Sequence, residues 1–235
     1  MRVVALIPAH NEADRIAATV VSAGSLDGVV GVIVVDDASR DETRKHALEA
    51  GAVVARLPYH QGKGAALEHA AALLAELTPF GPMESLDAVI LIDADLASST
   101  HQASVLLAAL KNGADMAIAI LPPPNSKVGF GRVKKLAHET ILELGGFDAQ
   151  APLSGQRALT IPCLKAVRPF AQDFGVELAM TVRALWAGMQ LIEVPTTMAH
   201  RSSGNTVRGF LHRFHQYLDV AQTARELLHD AKQRF

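Results

Sequence analysis

A chain of 235 residues, 49% apolar and 20% charged, is long enough to bury a sizeable core and too apolar for a disordered segment. Its net charge of −2 gives no general attraction for nucleic acid. No apolar run reaches the ~18–20 residues that span a bilayer, and the single Cys163 excludes an intrachain disulfide framework, so a reducing, cytoplasmic setting without transmembrane segments is expected.

The apolar run 2–7 predicts a buried strand stopped by Pro8, and Asn11 is placed to cap a helix reaching about residue 25. Residues 29–35 are β-branched almost throughout and predict a second strand. Ser39 and Glu42 have the spacing of a capping box at the head of a second helix. A third strand over 52–57, a helix over 62–77, a strand over 88–92, a helix over 99–110 and a strand over 114–120 complete the alternation. Apolar strands alternating with helices predict an α/β fold, its sheet parallel and covered on both faces. In such sheets ligands gather outside the carboxyl ends of the strands. The proline run 122–125 ends the alternation and predicts a loop beside the site. Beyond it come a helix over 131–144, short strands over 158–161 and 191–194 around a helix over 176–187, and a tail helix over 207–232. His212, His215, Arg213 and Arg225 read as the solvated face of that tail, which is also a possible surface for a homodimer. A single domain over 1–235 is expected, with halves 1–121 and 122–235.

Polar clusters follow several of the strands. Asp93 and Asp95, at the exit of the fourth strand, can leave the sheet together and share Mg²⁺ or Mn²⁺, which take oxygen ligands and bind phosphates. Asp is also common where strands become loops, so the pair needs company. Pro8, Ala9 and Glu12 follow the first strand, where Glu12 also suits the first turn of a helix. Asp36 and Asp37 are adjacent acids that repel unless a ligand or donor uses them, and one carboxylate can accept from the N–H of uracil or guanine. In His60-Gln61-Gly62-Lys63-Gly64, two glycines around a lysine open a helix, an anion-friendly turn without the Walker spacing.

Taken in order, Pro8-Ala9-His10-Asn11-Glu12, Asp36-Asp37-Ala38-Ser39, Gly62-Lys63-Gly64 and Asp93-Ala94-Asp95 resemble the nucleotide-sugar half of family 2 glycosyltransferases with the GT-A fold. The resemblance implies a nucleoside-diphosphate sugar (UDP- or GDP-linked), with contacts to Pro8, Ala9, Glu12, Asp36, Asp37, Lys63, Asp93 and Ala94, and a divalent metal on the aspartate pair. Residues 1–121 would then be the nucleotide-sugar half of a Rossmann-like, mostly parallel sheet, and 122–235 the acceptor half with its tail helix.

In the second half, Gly131-Arg132-Val133, Phe174-Gly175-Val176-Glu177 and Met198-Ala199-His200-Arg201 are similar to glucosyl-3-phosphoglycerate synthases and their mannosyl relatives. That similarity implies acceptor contacts from Gly131, Arg132, Lys134 and Ser202, an active-site acid at Glu177, and His200 joining Asp95 and Asp93 on the metal. The chain departs from those synthases at Asp37, where they carry serine, at Ser202, where they carry asparagine, and at Lys134, which replaces a small hydroxyl residue. Residues 153–158 resemble a segment of polyprenyl-phosphate glucosyltransferases.

The expected activity is therefore metal-dependent hexosyl transfer to a small anionic acceptor such as 3-phosphoglycerate. If the sugar configuration is inverted, Asp173 or Glu177 is the candidate base; if it is retained, Glu177 positions groups. The alternatives are transfer to a lipid phosphate at a membrane surface, a sugar nucleotidyltransferase, and a non-catalytic nucleotide-sugar binding module. A nucleotidyltransferase would carry a glycine- and arginine-rich loop after the first strand, where Pro8-Ala9-His10-Asn11 stands instead.

Overall fold

The computed structural model describes residues 1–76, 79–122, 131–199 and 207–234, the backbone alone over 207–215. Its strands are β1 (Val3–Ala9), β2 (Val29–Asp36), β3 (Val53–Arg56), β4 (Ala88–Leu91), β5 (Met116–Ile120), β6 (Arg157–Thr160) and β7 (Leu191–Pro195). They form one seven-stranded sheet in the order β3-β2-β1-β4-β6-β5-β7. Its helices are α1 (Ile16–Gly24), α2 (Thr43–Glu49), α3 (Lys63–Glu76), α4 (Ser104–Lys111), α5 (Gly131–Gly145), α6 (Ile161–Val167), α7 (Val176–Trp186) and α8 (Val207–Arg234).

The sheet is mixed rather than wholly parallel. β1 to β4 pair in parallel, and β7 is parallel to β5. β6 runs against both of its neighbours, with Leu91 opposite Arg157. The end of β4 and the beginning of β6 therefore share one edge, and that reversal shapes the site.

Side-chain alternation along β1 divides the core. Val3, Ala5 and Ile7 pack with α1 and α4 on one face, through Ile16, Val20, Leu106 and Leu110. Val4 and Leu6 pack with α3, α6 and α7 on the other, through Leu67, Leu74, Leu164 and Met180. Each Val, Leu, Ile or Met among them, when fully buried, contributes roughly 1.5–3 kcal/mol of transfer free energy. Within α3 the buried positions Ala66, Leu67, Ala70, Ala71 and Leu74 recur at helical spacing, which explains how an alanine-rich segment finds its orientation. A third cluster joins α5, α7 and α8 through Ile141, Leu178, Val182, Val220 and Leu227.

Several local expectations are corrected. Pro8 does not stop β1, which continues to Ala9 opposite Asp36. Leu6 carries the bond to the β4 side through its carbonyl, and pairing with β4 ends there, so the N–H missing from Pro8 interrupts no ladder. Asn11 is not a helix cap. It adopts φ 56° and its side chain accepts from Arg40 N at 2.8 Å, while α1 begins only at Ile16. The capping box at Ser39 and Glu42 does not form either. α2 begins at Thr43, whose N–H donates to Asp41 Oδ1 at 3.0 Å, and Ser39 Oγ accepts from Asn11 N instead. The two loops thus cap each other across strand ends, a tertiary choice that local spacing does not encode. α6 was not expected, although Thr160 accepts from Cys163 N and a proline occupies its first turn. Residues 123–125 of the proline run lie outside the described residues.

Candidate active site

The carboxyl ends of β1, β2 and β4 bring the first-half clusters to one rim. Asp37 follows β2, is almost fully buried, and organises the glycine turn. Its Oδ1 accepts from Gln61 N and its Oδ2 from Gly62 N, both at 2.8 Å. Gly62 holds φ +86°, and a Cβ there would stand 1.8 Å from Asp173 Oδ1. Gly62 is thus required by close approach as well as by backbone conformation, and Gly64 by close approach alone. Asp36, by contrast, faces inward: Oδ1 accepts from Ser39 N at 3.0 Å, and Oδ2 lies 3.4 Å from Arg56 Nε. The repulsion foreseen between the adjacent acids is relieved by sending the two carboxylates to different donors.

Lys63, the first residue of α3, lies between two acids. Its Nζ is 2.6 Å from Asp93 Oδ1 and 2.8 Å from Glu177 Oε1. Burial works against its charge, but the two carboxylates outweigh that penalty and hold the ammonium above the ordinary lysine range. Glu177 is buried at the head of α7, and Asp93 is about a quarter exposed.

Gln156 completes the grip on Asp93. Its Nε2 donates to Asp93 Oδ2, and its Oε1 accepts from Asp93 N at 2.9 Å. Gly155 beside it has no room for a side chain, since a Cβ would lie 2.3 Å from Lys63 Nζ. Arg157 lies wholly buried beneath, its Nε donating to Ser154 O and its Nη1 to Thr181 Oγ1 at 2.8 and 2.9 Å. Burial pushes this guanidinium down to about 10, with Glu177 nearby opposing the shift. Gln156, Gly155 and Arg157 were not identified as site residues from the sequence. The reversed direction of β6 is the reason, because it delivers them at the start of a strand rather than past its end.

Asp95 is half-buried, and Arg15 Nη1 on the approach to α1 donates to its carbonyl at 2.9 Å. The neighbouring Ala94 is buried, and its carbonyl accepts from Thr19 Oγ1 at 2.8 Å, so α1 fixes the backbone of the whole acidic segment. Pro8 and Ala9 end β1 on the same rim, and Glu12 N donates to Thr43 Oγ1 at 2.7 Å. Asp173 sits against Gly62 with φ 44°. Gly131, Arg132 and Lys134 are exposed on the first turn of α5, facing solvent rather than the buried cluster. His200 and Ser202 lie outside the described residues, as do the side chains of His212, Arg213 and His215. The arrangement thus joins Asp37, Lys63, Asp93, Asp173 and Glu177 through direct contacts or through Gly62, with Asp95 two residues from the centre.

The donor set suits a hard divalent cation, for which carboxylate oxygens are the preferred ligands. Asp93 has a cation on one oxygen and an amide on the other, and Asp95 leaves the same strand exit two residues on.

Residues 4–171 match the family model for glycosyl transferase family 2. A curated relative, glycosyltransferase AglJ of Haloferax volcanii, is 29% identical over 206 residues, which is 85% of this chain and 64% of that protein. The chain therefore spans less than two thirds of that relative's length. Among solved structures, glucosyl-3-phosphoglycerate synthase of Mycobacterium tuberculosis in complex with Mg²⁺ and uridine diphosphate superposes with a TM-score of 0.76 at 24% identity, covering 96% of this chain and 79% of that one. The same synthase in complex with Mn²⁺, UDP-glucose and phosphoglyceric acid gives a TM-score of 0.72 at 25% identity, covering 95% and 79%. These likenesses establish the GT-A fold.

Proposed function

Because the chain belongs to glycosyl transferase family 2, we propose that it transfers a hexosyl group from a nucleoside-diphosphate sugar to a small anionic acceptor such as 3-phosphoglycerate. The observation that carries this reading is the Lys63 ammonium held between Asp93 and Glu177, on the rim where Asp37 fixes the glycine turn and Asp95 leaves β4. Such a rim offers carboxylates for a metal, a cation near phosphates, and a buried acid toward the sugar. The synthase structures hold a uridine nucleotide and Mg²⁺ or Mn²⁺, which supports the same donor and ion here.

In this reading Ala9, Glu12 and Asp37 line the nucleoside side. Asp95, with Asp93 and His200, holds the divalent ion, which when bound supplies positive charge against the departing diphosphate. Lys63 keeps Asp93 and Glu177 at fixed separation and contributes charge toward the phosphates. Glu177 accepts from Lys63, which favours a positioning role over proton abstraction and so favours retention of the sugar configuration. Asp173, pressed against Gly62, is the remaining candidate base. Arg132 and Lys134 are exposed and cationic, suited to a carboxylate or phosphate on the acceptor.

A second acceptor reading, a polyprenyl phosphate, is favoured by the contact of the Gly155-Gln156 segment with Asp93. Among the described residues no helix is long and apolar enough to cross a membrane. The test is product formation from UDP- and GDP-hexoses with Mn²⁺, using 3-phosphoglycerate and a short polyprenyl phosphate as competing acceptors. Asp95→Ala is expected to lower metal-dependent transfer by about 10²-fold or more with unchanged circular dichroism. Full transfer by that variant would refute the assignment, and product with the lipid phosphate alone would select the second acceptor.

A further inference from the structure

A different group of ligating side chains stands on the nucleoside side of the same rim. His10 follows β1, Asp37 follows β2, and His60 precedes the glycine turn into α3. One nitrogen from each imidazole and one Asp37 carboxylate oxygen all lie within 4.8 Å of one another. That separation suits a single ion with ligand bonds of about 2.0–2.2 Å. The two rings lie 4.2 Å apart between centroids.

The local hydrogen bonds prepare these groups for a metal. His60 Nδ1 is 2.8 Å from Asp37 Oδ2, and His10 Nδ1 is 2.6 Å from the Asp37 carbonyl oxygen. His60 Nδ1 thus already faces the Asp37 carboxylate across a shared hydrogen. His10 carries its ring hydrogen on Nδ1 toward the carbonyl and accepts on Nε2 from Asn11 Nδ2 at 2.8 Å, a bond that an ion would displace. A backbone carbonyl behind a histidine, as His10 has, is the usual support for a ligating imidazole. Asp37 is itself anchored by two backbone N–H groups, so the carboxylate is already in place. The histidines are exposed and the acid is buried beneath them, which leaves the group open to an ion from solvent.

We infer that His10, Asp37 and His60 form a binding site for a borderline transition ion, Zn²⁺ or Ni²⁺, separate from the site at Asp93 and Asp95. Two imidazoles favour such ions over Mg²⁺. An ion entering here replaces the hydrogen shared by His60 and Asp37, which is released to solvent, and ties the ends of β1 and β2 to the turn that carries Lys63. If the donor reading above holds, the ion also occupies the nucleoside side and competes with the sugar nucleotide. That consequence rests on the proposed function; the metal site does not.

Calorimetric titration of the full chain with Zn²⁺, without nucleotide, tests the site. Wild-type protein and Asp95→Asn are expected to bind Zn²⁺ with the same affinity at this site, while His10→Ala and His60→Ala bind at least tenfold more weakly. His60→Gln, which keeps a polar side chain on the exposed turn, is expected to show the same loss with an unchanged circular dichroism spectrum. Equal Zn²⁺ affinity in wild-type protein and folded His60→Gln would overturn the site, and so would loss in Asp95→Asn with retention in the histidine variants. Zn²⁺ inhibition of transfer, competitive with donor and absent in His60→Gln, is expected in addition. Binding lost with His60 but without inhibition would leave the metal site standing and remove its link to the donor.

Discussion

Gly155 shows how little space separates the polar groups of this rim. A Cβ at that position would lie 2.3 Å from Lys63 Nζ and 2.8 Å from Asp93 Oδ2. The lysine end is flexible in principle, but here it is held by Asp93 on one side and Glu177 on the other. Gly155→Ala is therefore expected to shift the ammonium and the Asp93 carboxylate while leaving the sheet intact. A displacement near 1 Å at a reacting centre costs on the order of a hundredfold in rate. Steady-state transfer should fall by about that factor, with a thermal midpoint close to wild type; unchanged turnover would show that the Lys63–Asp93 contact is dispensable. At this scale the sequence singled out Lys63, Asp37 and Asp93, which the structure gathers on one rim, because paired acids and a lysine between glycines stand out against an apolar background. It did not disclose Gln156, a neutral residue whose role depends on the direction of β6.

Between elements, the binding rim depends on a clamp behind it. Glu68, on the second turn of α3, accepts from Arg168 Nη2 at 2.7 Å and from Phe170 N at 3.0 Å, joining α3 to the segment after α6. That segment continues into Ala171, whose carbonyl oxygen would lie 1.8 Å from a Cβ on Gly64. Burial works against the Glu68 charge, but the arginine and the backbone N–H hold its carboxyl below the ordinary glutamate range. The sign follows from the lowered value: the contribution is complete above the ordinary glutamate pKa and is lost as pH falls through the lowered one. Glu68→Gln should thus destabilise the protein by about 1 kcal/mol near neutrality, since the pair is partly solvated. Urea unfolding of both proteins should converge as acid carries the pH below the ordinary glutamate range and through the lowered value; a difference that does not shrink with acid would contradict the linkage. Element types were largely legible, since periodicity reports burial, but helix starts were not. Asn11 and Ser39 have capping chemistry, yet they use it on each other's loops across strand ends.

Across the whole molecule, the last helix meets α3 and α7 at the short turn Asp173–Gly175 before α7. The alternation of strands and helices over the first 120 residues was readable because buried parallel strands are apolar throughout. The reversal of β6 was not, since a four-residue strand has the same pattern in either direction. The docking of α8 was equally hidden, because an amphipathic helix does not name its partner. Gly175 makes that partner visible. Its φ is −82°, which any residue can adopt, so backbone strain is not the issue. A Cβ there would instead stand 1.9 Å from Thr223 Oγ1 and 2.8 Å from Thr223 Cβ on α8. Gly175→Ala must therefore push α8 away from the turn that leads to Glu177, an overpacking that costs about 1–3 kcal/mol. Thr223→Ala removes the hydroxyl but keeps the Cβ, so the double variant should recover part of the loss and not all of it. Urea unfolding of wild type, both single variants and the double variant measures this as a coupling energy of about 0.5–2 kcal/mol. Strictly additive effects would mean that α8 does not rest on Gly175, and that the tail helix leaves the active-site turn unsupported.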